Sequence, residues 1–126
     1  MSEHAAAAMR GDRAAFEAMV DEVIDSLPEW VVGQIDNLAV VVEDRARPDQ
    51  DATGYGLLGL YEGVDKLRRG NDYFAAAPDR ITIFRLPHLI QARDSESLAT
   101  ELRKTVLHEL AHHLGIDDSR LHEIGY

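Results

Sequence analysis

The sequence predicts an α+β fold in which a small sheet is flanked by helices near both ends of the chain. Apolar residues recur every three or four positions from Arg13 to Leu27, which is the spacing of an amphipathic helix. A second helical pattern follows Asp94 or Ser95 and continues to Leu114. Between the two helices, three short runs rich in strand-forming residues lie at 38–42, 57–63 and 80–86.

The start of the chain is predicted to be only partly ordered. Residues 1–10 are expected to form a frayed N-terminus with at most an early helical turn. Asp12 can cap the first helix, because its side chain can accept a hydrogen bond from a backbone amide of the first turn. The helix is expected to end before Pro28, whose ring cannot continue it.

The three predicted strands differ in character. Residues 38–42 form a continuous β-branched run, which predicts a strand buried on both faces. Gly59 weakens the strand predicted at 57–63. Residues 80–86 alternate between two faces, and this strand is expected to end at Pro87, with a short helix over 88–93.

Composition limits the possible functions. A chain of 126 residues is expected to form one domain spanning 1–126. The formal net charge of -10 disfavours nonspecific binding to nucleic acid or to an anionic membrane, so neither is an expected partner. There is no Cys, which excludes disulfides and thiolate metal ligands. No signal-peptide pattern or membrane-length apolar run is present, and a cytoplasmic location is the expectation.

The motif around which the chain is organised is HExxH, formed by His108, Glu109 and His112. Residues four apart on a helix lie on one face, so the two imidazoles can bind a single metal ion. Glu109 lies about 100° round the helix from His108, which suits a base acting on a metal-activated water. A chance HExxH is expected in roughly two of a hundred shuffled chains of this composition, so a metal site is the favoured interpretation.

A third ligand is predicted just beyond the helix. Gly115 can adopt the left-handed conformation that ends a helix and reverses the chain. The chain can then return Asp118 towards the metal, at the position where metzincin sites carry a third His. Zinc accepts Asp oxygen as well as His nitrogen, so His108, His112 and Asp118 would leave the open fourth position of a catalytic site.

The two faces of the predicted metal helix separate its histidines. At 100° per residue, His108 and His112 fall on a polar side. His113 falls on the apolar side, and we predict that it is a buried, hydrogen-bonded histidine rather than a ligand. The apolar side comprises Ala99, Leu102, Val106, Leu107, Leu110 and Leu114, and the polar side also includes Glu101, Lys104 and Thr105.

The whole pattern resembles the small bacterial zincin-like metallopeptidase family, which is described as a minimal zincin fold. The most specific part of the resemblance is the HExxHxxGxxD motif from His108 to Asp118. The runs 56–63, 81–85 and 121–126 also match. The resemblance implies a small twisted mixed sheet of about three strands, flanked by an N-terminal helix and a long C-terminal metal-binding helix.

The resemblance also implies a zinc-dependent peptidase. Its Zn²⁺ ligands would be His108, His112 and Asp118, its base would be Glu109, and its substrate a peptide or protein. Larger metzincins continue to a Met-turn beneath the metal, whereas no Met follows Met19 here. The lower wall of the cleft is therefore expected to be missing or to come from a protein partner.

Two other functions stay open on the sequence. The chain could be a non-catalytic metal-binding or interaction module, in which Asp117 or His122 closes the fourth metal position. It could also be a regulatory partner that docks through acidic blocks such as 21–22 and 43–44. The retained Glu109 favours the enzyme, since a structural site needs no base.

The group that assists the metal at the developing oxyanion is also undetermined by the sequence. Tyr126, His122 and His88 can each donate a hydrogen bond to an oxyanion. A C-terminal aromatic such as Tyr126 more often packs back on the core than acts as a donor.

Overall fold

The computed structural model describes residues 3–33, 38–63 and 79–115 of the chain. Within these ranges the fold is α+β, with a small mixed sheet preceded and followed by helices, consistent with a minimal zincin-like fold. No helix in these ranges is long and apolar enough to cross a membrane. The helices are α1 (Glu3–Met9), α2 (Arg13–Asp25), α3 (Glu29–Val32), α4 (Arg85–Gln91) and α5 (Ser95–His113), and the strands are β1 (Leu38–Glu43), β2 (Gly59–Glu62) and β3 (Asp79–Phe84).

The sheet has the order β1-β3-β2 within the described ranges. β3 pairs in parallel with β1 and antiparallel with β2, so Ile83 lies opposite both Val42 and Gly59. Ile81 and Ile83 are fully buried, as expected for a central strand with alternate residues facing a helical layer. The prediction that residues 38–42 are buried on both faces is wrong, because β1 is only half-buried and has β3 as its one described neighbour.

The strand boundaries differ slightly from those predicted. β2 begins at Gly59, two residues later than the hydrophobic run suggested. β3 ends at Phe84, before Pro87, and α4 starts immediately at Arg85. Pro87 lies within the first turn of α4, where a helix does not need its missing backbone donor.

The N-terminal residues are more ordered than predicted. Residues 3–9 form α1, and its small side chains Ala5 and Ala8 are 0% and 1% exposed. They belong to the same core as Phe16 of α2 and Leu98 of α5. The expectation of a frayed segment over residues 1–10 is therefore wrong for α1, since small apolar residues here allow two helices to approach closely.

The long helix α5 begins and packs as its sequence predicts. Asp94 caps it, since its carboxylate accepts a hydrogen bond from the Ser97 amide at 2.8 Å, and the Ser97 hydroxyl accepts one from the Asp94 amide at 3.2 Å. Asp12 also caps α2, by accepting a hydrogen bond from the Ala15 amide, but Ala15 has no side-chain oxygen to complete a capping box. The buried face of α5 consists of Leu98, Leu102, Val106 and Leu110, and it packs into one core with Ile81 and Ile83. The helix thus lies across the sheet with its last turns beside β2.

Candidate functional site

A glycine allows the close approach of α5 to the sheet. A Cβ atom at Gly59 would lie 2.7 Å from Cγ2 of Thr105 and 3.1 Å from Cγ of Glu109. Both distances are shorter than ordinary carbon–carbon contacts, so a side chain at this position would push strand and helix apart. Gly59, which weakened the strand prediction, is therefore what allows the base of the HExxH motif to lie against β2.

A cavity of about 370 Å³ lies between this helix and the chain entering β2. One wall is the segment Gly56–Gly59, and the other is the polar side of α5. Thr105, predicted on that polar side, is 7% exposed because it lies under Gly59. The helix residues on the cavity wall are Glu101, Lys104, Thr105, His108, Glu109 and His112.

The three predicted HExxH residues meet in this one cavity. The Glu109 side chain is 13% exposed, whereas that of His112 is 48% exposed. A Glu109 carboxylate oxygen lies 3.3 Å from Nδ1 of His112. This contact directs the other ring nitrogen of His112, Nε2, away from the carboxylate. The helix therefore offers a sheltered base beside a ring nitrogen that can bind a metal.

The predicted third ligand, Asp118, lies outside the described residues, as do Asp117, His122 and Tyr126. Among the residues that the structure describes, no group of three His, Cys, Asp or Glu side chains could hold a metal ion. The bend that should lead to Asp118 is present, however. Gly115 has a φ of 75°, and its amide donates to the His112 carbonyl at 3.1 Å. The predicted left-handed glycine after the helix is confirmed, and the ligand itself stays a prediction.

A comparison with known protein families matches the region of the chain that contains this site. The model of the zincin-like metallopeptidase family matches residues 35–126, which include the sheet, the cavity and the whole HExxHxxGxxD motif. The chain belongs to the zincin-like metallopeptidase family. No curated protein matches the sequence.

A solved structure supports the fold of this zincin-like protein. The chain is similar to a conserved hypothetical protein from T. thermophilus, with a TM-score of 0.59 and 25% sequence identity. The similarity covers 82% of this chain and 94% of the other. The resemblance inferred from the sequence is thus confirmed at the level of family and fold.

The cavity wall opposite α5 is organised by a carboxylate that the sequence analysis missed. Asp51 accepts hydrogen bonds from the backbone amides of Thr53, Gly56 and Leu57, at 3.2, 2.6 and 3.1 Å. Burial raises the pKa of Asp51, but these hydrogen bonds outweigh it and leave the pKa below its usual value. The ionised side chain therefore fixes the turn that leads into Gly56 and β2. An aspartate followed by Thr and Gly is the local signal of such a turn.

The buried His88 belongs to the core and not to the cavity. Its Nδ1 lies 2.7 Å from the Phe84 carbonyl, and its Nε2 lies 2.9 Å from the Thr105 hydroxyl. Because a carbonyl can only accept, Nδ1 carries the proton. The Thr105 hydroxyl lies within hydrogen-bond distance of both Nε2 of His88 and the Glu101 carbonyl, the latter at 3.0 Å. Both nitrogens are engaged and the ring is 1% exposed, so the suggestion that His88 assists an oxyanion is wrong. It instead links α4 to α5.

His113 is the buried, hydrogen-bonded histidine that the helical pattern predicts. Its side chain is 8% exposed, and its Nδ1 lies 2.9 Å from a carboxylate oxygen of Asp79. Tyr61 donates to the same oxygen at 2.6 Å and meets the His113 ring edge-on. The partners of His113 are far away in sequence, and nothing in the chain signals them locally.

We expect Gly59→Ala to lower the free energy of unfolding by about 1–3 kcal/mol, the usual cost of inserting a methyl group into a packed contact. Urea unfolding measures the change. The position of Glu109 in the HExxH motif should change as well, since the new methyl group also meets Cγ of Glu109.

The matched control is the double variant with Thr105→Ser, which removes the clashing methyl group and keeps the hydroxyl that bonds to His88. The double variant should recover part of the free energy of unfolding that Gly59→Ala loses, and a double-mutant cycle then gives the coupling energy between the two positions. Strictly additive effects would contradict the idea that this approach limits the packing of the helix.

The buried His88 should make stability depend on pH. Burial lowers the pKa of His88 below its ordinary value of 6.5, despite opposing effects from the Phe84 carbonyl and the Glu101 charge. The unfolded chain therefore takes up this proton first, and the free energy of unfolding should fall as the pH drops below 6.5 towards the folded-state pKa. Urea titrations between pH 5 and about 8 should show this slope. In His88→Gln the slope should be smaller, and an unchanged slope would assign the effect to other groups.

Proposed function

We propose that this protein is a zinc-dependent peptidase that hydrolyses peptide bonds in the cavity between α5 and β2. One observation carries the proposal: His108, Glu109 and His112 line the same cavity, with the carboxylate sheltered and the imidazole of His112 accessible. Membership of the zincin-like metallopeptidase family supports the reaction class.

The residues present suit a zinc ion. Two imidazoles one helical turn apart are a donor set that zinc favours, and the chain offers no thiolate that would indicate a closed structural site. The ion would be held by His108, His112 and Asp118. Gly115 supports the third ligand, because a glycine in the left-handed conformation allows a chain to reverse at the end of a helix, and Asp118 follows three residues later in the sequence.

The zinc ion and Glu109 would have separate roles in the hydrolysis. A bound zinc ion supplies polarisation of the scissile carbonyl and a lowered pKa for the attacking water. Glu109 takes the proton from that water and passes it to the leaving amine. The Glu109 side chain is 13% exposed, which keeps the carboxylate largely out of bulk solvent while it lines the cavity.

The substrate would bind as an extended peptide beside β2. This strand pairs with β3 on one side and lies at the end of the described strand order β1-β3-β2. Added strands bind through main-chain hydrogen bonds, so an extended chain here would pass along Gly56–Gly59 and in front of the motif. Peptide side chains would point alternately into the cavity and away from it.

Glu109 favours an enzyme over a non-catalytic metal module. A structural zinc site needs four protein ligands and no base. Here Cγ of Glu109 packs against the β2 backbone at Gly59, so the side chain of the proposed base is positioned by the fold.

We expect Glu109→Gln to keep zinc and to lose cleavage. Removing a general base costs about 10²–10⁴ in rate, while the metal ligands stay in place. The measurement is cleavage of an unbiased peptide library by purified protein, with zinc stoichiometry determined on the same samples.

The matched control for this experiment is Glu96→Gln, which removes a carboxylate from the first turn of the same helix, outside the cavity. It should cleave like the wild type. If the wild type binds one zinc per chain and cleaves no peptide, the protein is the non-catalytic metal-binding module instead. If it binds no zinc, both the peptidase and the metal-binding module are excluded.

Asp118→Ala should weaken zinc binding more than the about 10–100-fold typical of residues that only support a ligand. Competition with a chromogenic chelator gives the dissociation constant. Asp117→Ala is the control, because it removes the neighbouring carboxylate and should leave the affinity unchanged. Full affinity in Asp118→Ala would show that another group is the third ligand.

A further inference from the structure

A partly buried polar cluster joins the end of α5 to the sheet. It consists of Tyr61 in β2, Asp79 at the start of β3 and His113 at the end of α5, and we call it the Asp79 cluster. One oxygen of Asp79 receives the Tyr61 hydroxyl at 2.6 Å and the His113 ring nitrogen at 2.9 Å. The side chains of His113 and Asp79 are 8% and 12% exposed. A buried carboxylate with two donors is strongly held, since moving either donor would leave charge unsatisfied.

The cluster is attached to the part of the helix that most needs support. The last carbonyls of a helix lack partners within it, so the final turn is where a helix frays. His112, a proposed zinc ligand, lies in that final turn and is 48% exposed. In the described part of the chain, the His112 ring lies 3.3 Å from the Glu109 carboxylate, and a contact within one helix does not by itself fix the turn relative to the sheet.

His113 provides the missing connection to the sheet. It follows His112 directly, so its ring points about 100° away, towards the core. The edge-on contact with Tyr61, at 5.9 Å between ring centroids, restricts the ring further. The turn that carries His112 and leads to Gly115 is thus tied to two strands at once.

We propose that Asp79 is a positioning residue for the metal site, acting through His113 to hold the last turn of α5. The cluster sets where His112 lies and where the chain leaves the helix towards Asp118. The zinc-affinity part of this inference rests on the proposed function, whereas the ordering of the helix end does not.

Metal-free protein gives the first test. Hydrogen exchange of the backbone amides at 110–115 should be about tenfold faster in Asp79→Ala than in the wild type, because the last turn opens locally. Val20→Ala is the control, since Val20 is a buried core residue of α2 that reduces stability without touching the cluster. If Asp79→Ala and Val20→Ala change exchange at 110–115 equally, the cluster has no specific effect and the inference is overturned.

Two further variants test whether Asp79 acts through His113 rather than through a general loss of stability. His113→Phe keeps an aromatic ring on Tyr61 but cannot bond to Asp79, so it should reproduce the faster exchange. Asp79→Asn keeps an oxygen that can accept both hydrogen bonds but removes the charge, so its exchange should be slower than that of Asp79→Ala and faster than that of the wild type. Since Tyr61 and Asp79 make further interactions, a normal helix end in His113→Phe would show that Asp79 acts by another path, against the proposal.

Zinc affinity gives the second test. Asp79→Ala and His113→Phe should raise the zinc dissociation constant about tenfold, as loss of a residue supporting a ligand does, while Val20→Ala leaves it unchanged. Unchanged affinity in both variants would overturn the positioning role at the metal. If the wild type binds no zinc, the proposed function fails, and the exchange result alone decides whether the cluster orders the helix.

Discussion

The site depends on how closely one helix can approach one strand. Because Gly59 has no side chain, Thr105 and Glu109 can pack directly on the β2 backbone. That contact fixes the orientation of α5, buries the stem of Glu109 and leaves the cavity in front of His108 and His112. The apolar face of the helix supplies most of the binding energy to the core, but the glycine decides how deep the helix lies.

The local features were predictable from the sequence. Periodicity located α2 and α5, and Asp12 and Asp94 marked their starts. The HExxH spacing placed two histidines on one polar side, with the Glu109 carboxylate flanking them. These features depend on neighbours within one or two helical turns. Their physical causes therefore lie within short stretches of sequence.

Apart from the turn at Asp51, whose partners lie two to six positions away, the main features that failed or were missed are non-local. The parallel pairing of β1 with β3 sets the half-buried state of β1, and no residue in 38–43 encodes that pairing alone. His88 meets Thr105 seventeen positions away, and His113 meets Asp79 thirty-four positions away. A glycine within a strand pattern can indicate that another part of the chain approaches the backbone closely. The sequence alone does not show which element approaches, so Gly59 was interpreted only as a residue that weakens its strand.

The packing of α1 and α2 shows that the folding unit begins before the region that matches the family. The family match starts at residue 35, yet Phe16, Met19 and Val20 share a core with Leu98 and Leu102 of the helix that carries the motif. A truncated protein limited to the matched range would leave that apolar stripe facing water. The segment that identifies the family therefore depends on preceding helices that the family model does not include.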